Sequence, residues 1–166
     1  MAGVLDYGIV VCSLTWSEMD YIRNTLPNYV NTYVNAGVLL MNLNYLRSNN
    51  AEEKFHSLYL NRTDFRYADQ DIINFALHDT IKLLPIYYNA PILAIQLNYS
   101  KLTPEFIKEQ VQNRYHITYD NLFDIVYASS IIHINGYKHY IYEIPYLKYI
   151  YERNLDMANA YIKSKG

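Results

Sequence analysis

Short apolar segments alternate with amphipathic helical segments along this chain, and that alternation restricts the folds it can adopt. The clearest strand signal is Tyr33–Leu43, which is rich in β-branched and aliphatic residues. Helices are predicted at Asn44–Leu60 and Asp69–Leu77, whose apolar residues recur at helical spacing. A further helix is predicted from Thr103 to about Tyr115, because a capping hydroxyl precedes a proline and an acid. Alternating strands and helices predict an α/β fold.

Weaker patterns complete the prediction. They favour strands at Gly8–Leu14, Ile81–Tyr87 and Ser130–Ile134, a helix from Ser17, and a helical end over Tyr142–Lys163 that is broken near Pro145 and Asn154. The sequence contains no internal repeat and no linker, so residues 1–166 are predicted to form a single domain.

Charge and cysteine content exclude several classes of protein. The net charge is −2 and there is no polybasic block, which argues against a nucleic-acid partner. The single cysteine, Cys12, cannot form an intrachain disulfide. The apolar runs are too short to cross a membrane, and no secretory signal is visible. These features predict a cytoplasmic location.

Three segments combine polar residues with buried elements in a way that suits chemistry. Asn35 opens the Tyr33–Leu43 strand, and the small residue Ala36 beside it would let a ligand approach the backbone. The alternative is that Asn35 turns or caps the chain locally. In Asp69-Gln70-Asp71, a carboxylate on the first helical turn could hydrogen-bond sugar hydroxyls, or it could simply cap the helix.

The third segment is Ile131–Lys138, in which a histidine ends an apolar strand and a glycine turn and a lysine follow. Neutral imidazole is a common metal ligand, and lysine binds phosphate as a point charge. His133 could therefore ligate a divalent metal while Lys138 contacts a phosphate. The alternative is a structural histidine beside a solvated lysine.

Taken in order, the segments NAGVLLMNL, DQDIIN, LLPIYYN and IIHINGYK resemble glycosyltransferase family 8, as does the opening Ala2–Asp6. That family contains bacterial lipopolysaccharide galactosyl- and glucosyltransferases, the glycogenins and galactinol synthases. The resemblance covers residues 2–140 and leaves 141–166 as a helical tail. It implies a GT-A fold with a mixed central sheet, and Mn²⁺-dependent, retaining transfer of a hexose from a UDP-sugar to a glycan acceptor such as lipopolysaccharide.

The resemblance also implies roles for individual residues. Asn35 and Ala36 match positions that line the donor-sugar pocket, and Asp69 and Gln70 match residues beside the reaction centre. His133 matches the metal-ligand histidine. The remaining two matches, Gly136 and Lys138, correspond to the glycine and the diphosphate-contacting lysine.

One departure from the family pattern leaves two hypotheses open. No Asp-x-Asp pair stands upstream of Asn35, although the family's metal site and nucleotide-binding strands are expected there. We therefore expect a C-terminal portion of the family domain without its nucleotide-binding half. It is either a hexosyltransferase or a non-catalytic carbohydrate-binding remnant. Such a portion is expected to self-associate through an exposed sheet edge. The tyrosine-rich stretch Tyr142–Tyr161 could contact a membrane surface, with ordinary helix packing as the alternative.

Overall fold

The computed structural model describes residues 1–6, 21, 24, 31–91, 104–120, 122–134 and 145–165. The predicted strand at Gly8–Leu14, both Gly136 and Lys138, and the predicted helix from Ser17 apart from Tyr21 and Asn24 lie outside these residues. Tyr21 and Asn24 are helical. The chain divides into two compact units, Met1–His133 and Ile134–Gly166. The single domain over 1–166 stays a prediction.

A mixed sheet organises the first unit. Its strands run in the order β2-β1-β3, with β1 antiparallel to β2 and parallel to β3. A second sheet pairs β4 with β5 in parallel. The strands are β1 (Ala2–Leu5), β2 (Val34–Leu40), β3 (Lys82–Leu83), β4 (Ala90–Pro91) and β5 (Ile132–His133). Together with the helices, this arrangement confirms the α/β class and the mixed sheet.

The helices of the first unit flank these strands. They are α1 (Leu43–Ser48), α2 (Ala51–Asn61), α3 (Ala68–Leu77), α4 (Pro104–Tyr115) and α5 (Leu122–Ala128), with short 3-10 helices at His78–Thr80 and Ile86–Tyr88. The sequence patterns located α3 and α4 closely. The predicted single helix Asn44–Leu60 is wrong, because the chain turns between α1 and α2, where Asn50 adopts a left-handed conformation with φ of 50°.

Two other predicted elements also differ from the structure. The predicted strand Ile81–Tyr87 is reduced to β3, because the chain after Pro85 turns into a 3-10 helix. In the second unit, α6 (Pro145–Lys163) is continuous and is not broken at Asn154. The Asn154 side chain donates to the Ile150 carbonyl at 2.8 Å, so its polar group is satisfied within the helix. None of the described helices is long and apolar enough to cross a membrane.

The core of the first unit lies around β1. Val4 and Leu5 are buried, as are Val34 on β2, Val111 on α4 and Ile125 on α5. Helix α3 covers the outer edge of β2, which positions the polar end of α3 beside the start of that strand. The candidate functional site lies where the first turn of α3 meets the start of β2.

Candidate functional site

A cluster of polar side chains forms where β1 ends and β2 begins. Asp6 follows β1, Asn35 is the second residue of β2, and Gln70 lies on the first turn of α3. Asn89 immediately precedes β4, and His133 ends β5. These five residues, which we call the polar cluster, come from five different elements. The fold therefore brings together polar side chains that are far apart in the sequence.

Asn35 is the centre of the polar cluster. Its Nδ2 donates to Asp6 Oδ2 at 2.8 Å and to Gln70 Oε1 at 3.1 Å. Its Oδ1 accepts from Gly37 N at 2.8 Å and from Asn89 Nδ2 at 3.0 Å. An asparagine side chain offers two donor and two acceptor positions, so all four positions of Asn35 have protein partners. Asn35 therefore organises the cluster, and it would have to give up a protein partner to bind a ligand.

Gln70 joins α3 to β2 and to β1. Its Oε1 accepts from the backbone N of Ala36 at 3.0 Å, in addition to the bond from Asn35, and its Nε2 donates to Asp6 Oδ2 at 3.2 Å. One turn later, Asn74 bonds both backbone groups of Val34, each at 2.7 Å. The two amides thus occupy the outer edge of β2 in place of another strand.

His133 lies against Gly37 and Asn35. A Cβ atom added at Gly37 would be 2.7 Å from His133 Nε2 and 2.8 Å from Asn35 Oδ1, so only glycine leaves room for the imidazole ring. Burial lowers the pKa of His133, while the nearby Asp6 carboxylate acts in the opposite direction. His133 Nδ1 is buried and has no hydrogen-bond partner among the described residues.

Asp71 belongs to a separate, buried network. It accepts hydrogen bonds from the Tyr21 hydroxyl at 2.8 Å and from the Tyr33 hydroxyl. It also accepts from the backbone N of Arg66 at 2.8 Å and of Tyr67 at 2.7 Å, just before α3 begins. Burial, and then the bond to Asp71, raises the pKa of both phenols above the ordinary value. Asp71 is therefore the residue of this motif that caps the helix.

The structure places the predicted site residues in three groups. Asn35, Ala36, Gln70 and His133 come together in or beside the polar cluster. Asp69 is exposed on the first turn of α3 and adjoins Gln70 in the chain. Gly136 and Lys138 lie outside the described residues.

Two members of the polar cluster were missed from the sequence. Asp6 ends the Ala2–Asp6 segment and Asn89 ends LLPIYYN. Both segments resemble the family, but no role was predicted for either residue. In each segment a single polar residue ends an apolar run, which is the signal that could have drawn attention to it.

The predicted metal can be tested against the donor atoms present. Mn²⁺ prefers several oxygen ligands alongside any imidazole. The described residues contain no group of three His, Cys, Asp or Glu side chains that could hold a metal ion. They supply His133 with one neighbouring carboxylate, Asp6, and do not complete a Mn²⁺ site.

Comparisons with known proteins agree with the resemblance at the level of the family. No curated protein and no solved structure matches the chain. The model of glycosyl transferase family 8 matches residues 1–140, which include β1, β2, α3 and the whole polar cluster. The chain therefore belongs to glycosyltransferase family 8.

Proposed function

We propose that this chain takes part in the transfer of a hexose from a UDP-hexose to a glycan acceptor, with retention of configuration, within a GT-A fold. The observation that carries the proposal is the convergence of Asn35, Gln70 and His133 in the polar cluster, in a chain that belongs to a glycosyltransferase family. The acceptor that the resemblance supports is lipopolysaccharide or another cell-surface glycan.

The geometry supports different tasks for these residues. The side-chain oxygens of Asn35 and Gln70 accept hydrogen bonds from the protein, which holds the polar cluster rigid. A rigid polar cluster favours a fixed orientation of the bound sugar. Asp69 is exposed on the helical turn that also carries Gln70, and its carboxylate does not fill the cap role that Asp71 fills. We assign Asp69 to the hydroxyl groups of the donor hexose.

The departing diphosphate requires positive charge. Enzymes of this family generally use a divalent metal, which neutralises negative charge on the leaving group when it is bound. The described residues do not complete such a site, so the roles assigned to them here do not depend on a metal. Lys138, with Gly136 permitting close approach, is the residue proposed to contact the diphosphate, and the resemblance is the support for both.

One observation favours a second candidate function, carbohydrate binding without transfer. The oxygen atoms of Gln70 and Asn35 are both fully engaged with protein donors, so neither is available to stabilise positive charge at the anomeric carbon. A rigid polar cluster whose amide oxygens are already hydrogen-bonded is compatible with sugar binding alone.

A transfer assay separates the two candidates. Purified protein is incubated with radiolabelled UDP-hexose and Mn²⁺, and both hydrolysis and transfer to a glycan are measured, while calorimetry measures binding. Asp69→Ala is expected to lower turnover by about 10²-fold, the scale found when one transition-state contact is removed. Asp156→Ala, which changes an exposed carboxylate on α6, is the matched control and leaves turnover unchanged.

The outcomes are distinct. Turnover that depends on Asp69 supports hexosyl transfer. Binding of UDP-hexose without turnover supports the carbohydrate-binding function. Absence of both binding and turnover rejects the two candidates together.

A further inference from the structure

The side chain of Asn89 contains a polar atom whose hydrogen-bonding capacity is unused. Asn89 is 2% exposed, and its Oδ1 has no hydrogen-bond partner among the described residues. Buried polar atoms are nearly always paired, because an unpaired one loses its hydration without compensation. An orphaned acceptor at this depth therefore points to a missing donor.

The orientation of the Asn89 amide follows from its neighbours. The backbone N–H of Gly37 donates to Asn35 Oδ1, which fixes which end of the Asn35 amide is the oxygen. The opposite end faces Asp6 Oδ2, an acceptor, which agrees with that assignment. Since Asn35 Oδ1 is an acceptor, the Asn89 atom 3.0 Å away has to be Nδ2. Turning the Asn89 amide over would place two acceptors in contact, so Oδ1 is the orphaned atom.

A second orphaned atom lies close by. His133 Nδ1 is also buried without a partner among the described residues, and the imidazole ring contacts Gly37 next to Asn35 Oδ1. The pairing of Ala90 with Ile132 and of Pro91 with His133 places β4 beside β5. Asn89 Nδ2 contacts Asn35 Oδ1 directly, while His133 Nε2 and Asn35 Oδ1 lie 2.7 and 2.8 Å from the position that a Cβ atom of Gly37 would take. The polar cluster therefore contains two unsatisfied polar atoms, each of which lacks the partner that a polar ligand group would supply.

We propose that Asn89 is a ligand-contacting residue whose Oδ1 accepts a hydrogen bond from a hydroxyl group of the bound hexose. This inference rests on the proposed function, since that function supplies the sugar. A hydroxyl group suits the position because it is a neutral donor, and a neutral donor can be buried beside a neutral amide with little desolvation cost. A phosphate or carboxylate does not suit it, because these groups only accept.

The test is a cycle that combines a protein change with a ligand change. Calorimetry with Mn²⁺ present measures the binding of UDP, UDP-hexose and the monodeoxy UDP-hexoses to the wild-type chain and to Asn89→Ala. For the wild-type chain, removal of one particular hydroxyl is expected to weaken binding about 3- to 10-fold, as for a single neutral hydrogen bond. Asn89→Ala is expected to bind UDP-hexose more weakly by the same factor. Its affinity should then be equal for UDP-hexose and for the sugar that lacks that hydroxyl.

Two controls separate ligand contact from a structural role. UDP binding is expected to be the same for wild-type and Asn89→Ala, whereas a merely structural change would weaken every ligand. Asn113→Ala, an exposed asparagine on α4, is expected to behave as wild-type throughout. For the case in which Asn89→Ala does not fold, the wild-type chain labelled with ¹⁵N-asparagine provides a second measurement. The Asn89 side-chain amide resonance is expected to shift with UDP-hexose and to stay in place with UDP.

Several results would overturn the inference. If Asn89→Ala loses the same factor with every deoxy sugar and with UDP, the residue is structural. If the diamagnetic cation Mg²⁺ alone shifts the Asn89 resonance, the orphaned oxygen faces a cation. If the wild-type chain binds UDP-hexose but discriminates against no deoxy sugar, only this inference fails. If it binds no UDP-hexose at all, the proposed function fails as well.

Discussion

The buried carboxyl group of Asp71 gives the sharpest test of how this fold is held together. It is fully buried and accepts hydrogen bonds from two phenols, Tyr21 and Tyr33, and from the backbone N of Arg66 and of Tyr67. Replacing Asp71 by alanine removes one acceptor from each of these donors, and the backbone N of Arg66 keeps a second acceptor, the Tyr21 hydroxyl at 3.0 Å. Removing the partner of one buried group typically costs about 1–3 kcal/mol. Because some of the donors will relax or reach water, we expect Asp71→Ala to destabilise the fold by about 3–5 kcal/mol.

An isosteric change should be far milder. Among the described residues, Asp71 Oδ2 accepts from Tyr21 and from both backbone N–H groups, whereas Oδ1 accepts from Tyr33. In Asp71→Asn, the amide oxygen can take the Oδ2 position and the amide nitrogen can donate to the Tyr33 hydroxyl. We therefore expect this variant to lose about 1–2 kcal/mol, with the pattern of hydrogen bonds nearly intact.

Urea denaturation followed by far-UV circular dichroism measures these free energies of unfolding. Asp69→Ala is the matched control, because Asp69 is exposed on the same helical turn. It should lose no more than about 0.3–1 kcal/mol, the scale of a helix-dipole interaction. The reasoning is refuted if Asp71→Ala loses less than Asp69→Ala, or if the alanine and asparagine variants at position 71 are equally unstable.

Three further predictions concern the polar cluster and the strained first residue of α3. Gly37→Ala places a methyl group against the His133 ring and should cost about 1–3 kcal/mol, as overpacking usually does, measured by urea denaturation. Because burial lowers the pKa of His133, the unfolded chain takes up the proton first, so stability should fall as pH drops below about 6.5, by at most about 1.4 kcal/mol per pH unit. His133→Gln should remove that part of the pH slope, whereas His56→Gln, at an exposed position, should keep it. Ala68 has a φ of 44°, so Ala68→Gly should relieve about 1 kcal/mol of strain and leave the melting temperature unchanged or raised, in contrast to an ordinary helical Ala→Gly change.

The helices and strands that could be predicted are those long enough for their apolar residues to repeat at a regular spacing. Helices α3 and α4 and strand β2 each contain several turns or alternations, and their approximate limits could be identified from the sequence. The two-residue strands β4 and β5 could not, because they depend on pairing between distant segments. The turn between α1 and α2 depends on the left-handed conformation of Asn50, which asparagine tolerates but does not require.

For the candidate site, the sequence indicated which side chains lie close together better than it indicated what each side chain contacts. The sequence indicated Asn35, Gln70 and His133, and the structure places them together. It could not show that every hydrogen-bonding position of Asn35 is occupied, because its partners Asp6 and Asn89 come from other elements. Whether a polar side chain faces the protein or a ligand depends on tertiary geometry, which local spacing does not contain.

The spacing of the motif Asp69–Asn74 has a physical explanation that needs no ligand. Gln70 bonds Ala36 and Asn74 bonds Val34, so four residues of helix are matched to two residues of strand. Four helical residues rise about 6 Å and two strand residues span about 6.6 Å, so the two amides fall in register with the backbone groups that they cap. The motif would be retained for this reason even in a chain that never turned over a sugar. Because these bonds account for Gln70 and Asn74 without a ligand, tests of catalysis are most informative at residues outside this pair, such as Asp69, Asn89 and His133.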